Sequence, residues 1–260
     1  LGKMDYLYDK VETYDKLKDI IQGRSLPDGL SDIQNGMADI EHHMLHFLDN
    51  HDEQRLASPE FAGTPQKGKP LMVVSTTIST SPTMVYFGQE VGEAGNENAG
   101  FGTHSRTSIF DYVGVPNHQR WMNGGKFDGG QLTKDEKELR DFYKRVLNFS
   151  LNSSALMGKY QEIQTLNRQT TQGYDPGIYA FTRWSDTQKL IVVTNFSWLT
   201  TSNFELKIPS DIIQKWNLND GNYTITDQLY HKNSIQLQVL NGEGKAQITI
   251  VPSESFIYQL

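Results

Sequence analysis

At 260 residues, with 37% hydrophobic and 21% charged content, the chain has the make-up of an ordinary globular protein of one large or two moderate domains, which excludes a disordered segment. Its formal charge of −7 is spread over scattered carboxylates, and its Lys and Arg are not clustered, which argues against nucleic acid as a partner. The absence of cysteine excludes disulfides and thiolate metal sites, and no apolar run approaches the roughly 20 residues of a membrane span.

In chain order, Met4 to Tyr8 reads as a short strand, followed by a helix with Val11, Tyr14, Leu17, Ile20 and Ile21 at helical spacing and Gly23 at its stop. Ser25 to Gly36, with Pro27 and Gly29, reads as a turn into another short helix. A second strand, His43 to Asp49, breaks abruptly into Asn50-His51-Asp52, and Pro59, Gly63, Pro65, Gly68 and Pro70 then punctuate a loop. Leu71 to Ser81 is rich in Val, Ile and Thr, and its periodicity does not choose between helix and strand. A third strand, Thr83 to Phe87, opens into Gly88-Gln89-Glu90 and a long Gly- and Asn-rich loop, Glu93 to Thr103, of a length that is usually functional, followed by Arg106 to Tyr112.

Thr133 to Leu147 is a firm helix prediction, with Thr133 as N-cap, Glu136 at the capping-box position, and Leu139, Phe142, Tyr143 and Val146 on one face. From about Gly158 the character changes. Ile178–Trp184, Leu190–Phe196, Phe204–Ile208, Tyr223–Ile225, Ile235–Val239, Ile248–Val251 and Phe256–Tyr258 are short, often alternating runs separated by turn signals such as Asp220-Gly221 and Asn241-Gly242. That spacing predicts an antiparallel β-sandwich over 158–260, after a first domain of 1–157.

The stretch Phe47-Leu48-Asp49-Asn50-His51-Asp52-Glu53-Gln54-Arg55 resembles the fourth sequence signature of glycoside hydrolase family 13, the α-amylase family. Met84-Val85-Tyr86-Phe87-Gly88-Gln89-Glu90 is similar to that family's strand-eight signature. The resemblance implies a partial (β/α)8 barrel, with Met4–Tyr8, His43–Asp49 and Thr83–Phe87 as strands six, seven and eight, and it makes Leu71 to Ser81 a helix. A barrel of this kind presents its chemistry at the C-terminal ends of its strands.

It also implies roles. Asp52 becomes the third family carboxylate, stabilising an oxocarbenium-like transition state through sugar hydroxyls, and His51 a hydrogen-bonding partner at the same subsite. Asn50, Arg55, Arg106 and Tyr112 become substrate-binding candidates. A loop Asp can instead cap a helix, and a histidine can be an ordinary core residue. Arg55 binds saccharide or pairs with a rim carboxylate. Tyr112 and Trp121 stack on glucose or seal the loop, and Gln89 and Glu90 read as structural ties. Trp184, Trp198 and Trp216 are more readily core or surface anchors than sugar platforms. His42 and His43, on a strand, would face opposite ways, which disfavours a metal site with His46.

Retaining glycosidases need a nucleophile and a general acid about 5–5.5 Å apart. The G-x-R-x-D and Glu-ending patterns that carry these in the family are both missing from this chain. The expectation is therefore the C-terminal part of a retaining α-glucan hydrolase, with strands one to five absent and the piece alone inactive. A transglycosylase or isomerase on the same scaffold, a non-catalytic starch-binding module, and a structural domain completing another chain's barrel are the alternatives. No cofactor is implied, although calcium is common in the family outside this region. With neither signal peptide nor initiator Met at Leu1, the chain looks processed or excised, and a periplasmic or extracellular setting is favoured. Open barrel edges imply self-association or complementation.

Overall fold

A computed structural model describes residues 4–95, 106–107, 115–231 and 233–260. The first strand, β1 (Leu7–Tyr8), runs into a π-helical turn (Lys10–Tyr14), α1 (Asp15–Ile21) and α2 (Gly29–Gly36). Next come β2 (Met44–Phe47), α3 (Lys69–Thr77) and β3 (Thr83–Met84). The three strands form a parallel sheet with β2 in the middle, Leu7 level with Met44 and Phe47 level with Met84. Helices fill both crossovers, as parallel pairing requires.

All three strands are shorter than expected, and after β2 and β3 side chains take up the backbone amides that follow. Asp49 draws the Leu56 amide back on itself, and the Gln89 side-chain oxygen accepts from the Tyr86 amide at 3.3 Å. Most of the Glu93–Thr103 loop and the residues between Thr107 and Val115 lie outside the described residues.

The Val/Ile/Thr-rich run is helical, in agreement with the resemblance. Every residue from Pro70 to Thr77 is buried, so α3 carries no polar stripe for its period to betray. Its threonines are accommodated by returning their hydroxyls to the helix. Thr76 donates to the Met72 and Val73 carbonyls at 2.8 and 3.0 Å, and Thr77 to Val73 at 2.6 Å. After α4 (Pro116–Met122), α5 (Lys134–Asn152) begins at the predicted capping box and runs one turn beyond Leu147.

The remaining elements are β4 (Lys159–Glu162), α6 (Gln164–Thr170), β5 (Ile178–Trp184), β6 (Lys189–Asn195), β7 (Ser202–Ile208), α7 (Ser210–Lys215), β8 (Gly221–Asp227), β9 (Ser234–Leu240), β10 (Glu243–Ile250) and β11 (Ser255–Gln259). Where two packed sheets are expected, the strands make one continuous antiparallel sheet in the order β4-β5-β6-β11-β8-β9-β10-β7. The physical reason lies at its middle. β11 pairs with β6 through five residues but with β8 only through Tyr258 and Gln259, so the sheet bends at a narrow seam without separating. Curling brings Ile178 and Ala180 of β5 into one core with Phe204, Leu206, Leu237 and Ile248 from the far half.

The edge strand β7 is covered by α6, where the Asn167 side chain accepts from the Lys207 amide at 2.9 Å and donates to its carbonyl at 2.9 Å. Alternate residues of β5 point the other way. Tyr179 and Phe181 pack in a second core with Leu71, Val74, Leu139, Phe142 and Val146, so apolar packing crosses the expected 157/158 division.

Candidate functional site

The loop after β2 is closed at its base and open at its tip. Asp49 is fully buried. One carboxylate oxygen accepts from the Leu56 amide and the other lies 3.3 Å from the Arg55 guanidinium, so residues 49 and 55–56 are tied together. Within the ring, the Asn50 side-chain oxygen accepts from the Asp52 and Glu53 amides, each at 2.8 Å, an Asx-type turn. This turn pushes its next two side chains outward. His51 and Asp52 are 45% and 72% exposed, with His51 Nε2 3.4 Å from Asp52 Oδ2.

Arg55 does not face solvent. It is fully buried, donating to the Thr107 hydroxyl at 2.6 Å and the Phe87 carbonyl at 2.7 Å, and its guanidinium lies over the Tyr86 and Phe87 rings at 4.5 and 4.8 Å. Of its two expected partners, the structure supplies the carboxylate, Asp49. Arg106 is half-buried beside this anchor, its Nε without a hydrogen-bond partner among the described residues, while the neighbouring Thr107 carbonyl accepts from the Tyr86 hydroxyl at 3.1 Å. Tyr112 lies outside the described residues.

The outer flank of the loop is fastened to the segment after β1. Glu53 accepts from the Tyr14 hydroxyl at 3.4 Å and lies 3.6 Å from the Lys10 ammonium, and Lys18 donates to Gln54 at 2.8 Å. Beneath it, Asp9 and His46 are both 1% exposed and face each other at 3.3 Å, while the other ring nitrogen of His46 lies 2.8 Å from the Ser75 carbonyl.

Burial pushes the Asp49 carboxyl up to about 6, with Glu93 adding to the rise, while Arg55 and the Leu56 amide pull the other way. At Asp9 burial also disfavours ionisation. There the His46 ring and the contacts with Thr13 outweigh it and hold the carboxyl below its usual 3.8.

Asp9, Asp49 and Glu93 are thus buried and Glu53 is engaged, leaving Asp52 as the carboxylate the loop presents to solvent. With His51 beside it, this pair can accept and donate hydrogen bonds to vicinal hydroxyls. Sequence reasoning passed over Asp49, Glu53, Thr107 and the Asp9–His46 pair. A carboxylate within the apolar run at position 49 was the available signal for the first, whereas the others depend on contacts between distant loops.

Gln89 is buried and donates to the Tyr143 hydroxyl at 3.1 Å, a structural tie. His42 and His43 sit in a 3-10 turn with ring centroids 4.0 Å apart, not on a strand as expected, while His46 points inward. Among the described residues no trio of His, Cys, Asp and Glu is placed to hold a metal ion, and no helix is long and apolar enough to cross a membrane. Trp121 is half-buried, lying against the His118 ring of its own helix at 5.5 Å and the Arg140 guanidinium of α5 at 5.4 Å. Trp216 is buried, Trp184 half-buried, and Trp198 is 52% exposed.

The fold defines a class: a small parallel sheet joined to a curled eight-stranded antiparallel sheet, an arrangement similar to the C-terminal part of amylases. By sequence, neither a family model nor a curated protein matches the chain. Among solved structures, it is similar to the noncanonic maltogenic α-amylase AmyB of Thermotoga neapolitana, at 15% identity and a TM-score of 0.65 over 98% of this chain and 50% of that one. AmyP in complex with maltose matches at 16% identity and a TM-score of 0.65, covering 98% of this chain and 50% of that one. The cyclomaltodextrin glucanotransferase CldA matches at 17% identity and a TM-score of 0.61, covering 95% and 43%. The chain spans about half the length of the structures it matches.

Proposed function

We propose that this chain is the C-terminal part of a retaining α-glucan hydrolase of the α-amylase type, acting on starch or maltooligosaccharides. In this reading β1, β2 and β3 are the last three strands of a (β/α)8 barrel, and residues 158–260 are its C-terminal β domain. Asp52 stabilises the transition state, strengthening its hydrogen bonds to sugar hydroxyls as positive charge develops on the ring. His51 contacts the same sugar, Asn50 and Arg55 hold the loop, Arg106 grips a glucose unit beyond the cleavage point, and Tyr112 stacks on glucose. The nucleophile and general acid come from a preceding part of the barrel.

The observation that carries this reading is the exposed His51–Asp52 pair, held on a tied loop at the C-terminal end of the central parallel strand. Asp52→Asn in the longer parent keeps size and hydrogen-bonding capacity and removes the charge. Its kcat/KM on maltoheptaose is expected to fall at least ~10²-fold, as on removing one preorganised transition-state group. The 260-residue chain alone is expected not to hydrolyse starch. Near-normal turnover by the variant would show that the carboxylate only shapes a loop, and robust hydrolysis by the chain alone would overturn the location of the missing groups.

A transglycosylase on the same scaffold is the second reading, favoured by the likeness to the glucanotransferase fold. Products of the longer parent on maltooligosaccharides separate the two, because a transglycosylase yields chains longer than the substrate supplied.

A further inference from the structure

Asp52 and Glu53 are adjacent acids whose side chains go opposite ways. Asp52 faces solvent, whereas Glu53 is half-buried and turned to the segment after β1. Their amides donate to the same Asn50 side-chain oxygen, each at 2.8 Å, so both residues belong to one turn. Fixing the Glu53 side chain therefore restricts the backbone that aims the Asp52 carboxylate. The hold on Glu53 comes from an uncommon element, the π-helical turn Lys10–Tyr14, closed by the Tyr14 amide on the Asp9 carbonyl at 3.3 Å. Single π turns are rare and are frequent at functional sites.

This turn is fixed at both ends against β2, the strand that carries the loop. At its start the Asp9 carboxylate accepts from the Thr13 amide at 2.9 Å, and the Asp9 amide donates to the Leu45 carbonyl at 3.0 Å. The second Asp9 oxygen faces His46. At its end the Tyr14 ring stacks on Phe47 at 4.8 Å and meets Phe61 edge-on at 5.5 Å. From this base two groups reach the two oxygens of Glu53. The Tyr14 hydroxyl donates to one at 3.4 Å, and the Lys10 ammonium lies 3.6 Å from the other. Burial and the charges of Glu53 and Asp49 push the Tyr14 hydroxyl well above its ordinary value of 10, so it remains a donor. Lys10 is itself restrained, bonding Asp15 at 2.6 Å and lying 4.9 Å from the centre of the Tyr14 ring. Farther along, in α1, Lys18 donates to Gln54 at 2.8 Å.

A half-exposed ion pair contributes little stability in water. Three side chains from one anchored segment, converging on the two loop residues after Asp52, are better accounted for by placement. We propose that Glu53 is a positioning residue for Asp52: clamped by Lys10 and Tyr14, it fixes the direction in which the Asp52 carboxylate meets the sugar. The role of Asp52 in this inference rests on the proposed function; the clamp itself rests on the contacts of Glu53.

The test has two arms. In the 260-residue chain, Glu53→Ala is expected to speed hydrogen exchange at the Asp52 amide by at least ~10-fold through local opening of the turn, and an unchanged rate would overturn the clamp. In the longer parent acting on maltoheptaose, Glu53→Ala is expected to lower kcat about tenfold or more with KM within about twofold, because misplacement falls on the transition state. Tyr14→Phe, which keeps the ring stack and removes the hydroxyl, and Lys10→Met are expected to share in the loss of kcat. Lys10→Arg restores the charge and is expected to recover most of it. Thermal melts close to that of the unaltered protein are expected throughout, and a melting temperature falling in step with kcat would make Glu53 a stability residue and overturn the positioning role. Full kcat in Glu53→Ala, Tyr14→Phe and Lys10→Met beside a collapsed Asp52→Asn would overturn this inference alone. Near-normal turnover in Asp52→Asn would instead overturn the proposed function, with the exchange measurement still deciding the clamp.

Discussion

Two buried carboxylates flank the candidate loop and respond to pH in opposite senses. Asp49 has a folded pKa raised to about 6 by burial, so the folded chain holds its proton more tightly than the unfolded chain does. Its contribution is complete below the ordinary value of 3.8 and is lost as pH rises through about 6. Asp9 is depressed, so its contribution is present above 3.8 and lost as pH falls through its lower folded value. Replacing Asp49 by Asn removes the first term alone. Denaturant unfolding at about pH 7 and about pH 4 is therefore expected to show the wild-type chain gaining stability relative to Asp49→Asn on acidification. A difference independent of pH would contradict the burial assigned to Asp49. His51 and Asp52 could be picked out from residue order because the motif is contiguous. The anchoring role of Arg55 could not, because it depends on Thr107 and the Phe87 carbonyl, which only folding brings to its guanidinium.

Among the elements, β5 joins the two halves of the chain through the apolar packing of Tyr179 and Phe181 and through one buried cation. Arg183 is 1% exposed and faces carbonyls instead of a carboxylate, donating to Ile78 at 2.6 Å, to Leu156, and to Gly158 at 3.5 Å. Desolvation lowers its pKa to about 10, a measure of how dry the site is. The contact holds the C-terminal end of α3 and the turn after α5 onto the sheet. Arg183→Met fills similar space but orphans those carbonyls, and is expected to cost about 1–3 kcal/mol for each one left unsatisfied. Denaturant unfolding measures the loss, and hydrogen exchange should show it as faster opening around Ile78. A stability change below ~0.5 kcal/mol would mean that water or rearranged backbone satisfies these groups. The α5 helix was legible from Thr133 and Glu136 because a capping box is a local code. The assignment of α3 needed the resemblance, since enclosure on every side removes the periodic signal.

For the molecule as a whole, the parallel sheet ends, among the described residues, in two edges without a neighbouring strand. β1 is one of them, and around it Met4, Tyr6, Tyr8 and Val11 are 71%, 55%, 48% and 76% exposed. Unpaired backbone groups beside exposed apolar side chains are a template for another strand. In the proposed reading these edges meet the rest of a barrel. The chain alone is accordingly expected to self-associate, or to show weak hydrogen-exchange protection in β1 to β3. A monodisperse monomer by light scattering with all three strands strongly protected would refute this. Packing of Tyr179 and Phe181 against Leu71 and Phe142 bears on the outcome, because it gives the first part of the chain a core shared with the sheet.

Features coded within a few residues were readable from amino-acid order. They include the alternation of the β strands, the capping box, the Asp-Gly and Asn-Gly turns, and the Asn-His-Asp break after an apolar run. Each reflects periodicity or turn chemistry, which is local. The single curled sheet in place of two, the burial of Asp49 and Arg55 and the inward turn of His46 were not readable. They depend on which distant segments meet: two residue pairs at the β11–β8 seam, a hydroxyl at Thr107 and a carbonyl at Ser75. Burial and partnership are properties of the surroundings of a residue, and here those surroundings come from positions tens of residues away.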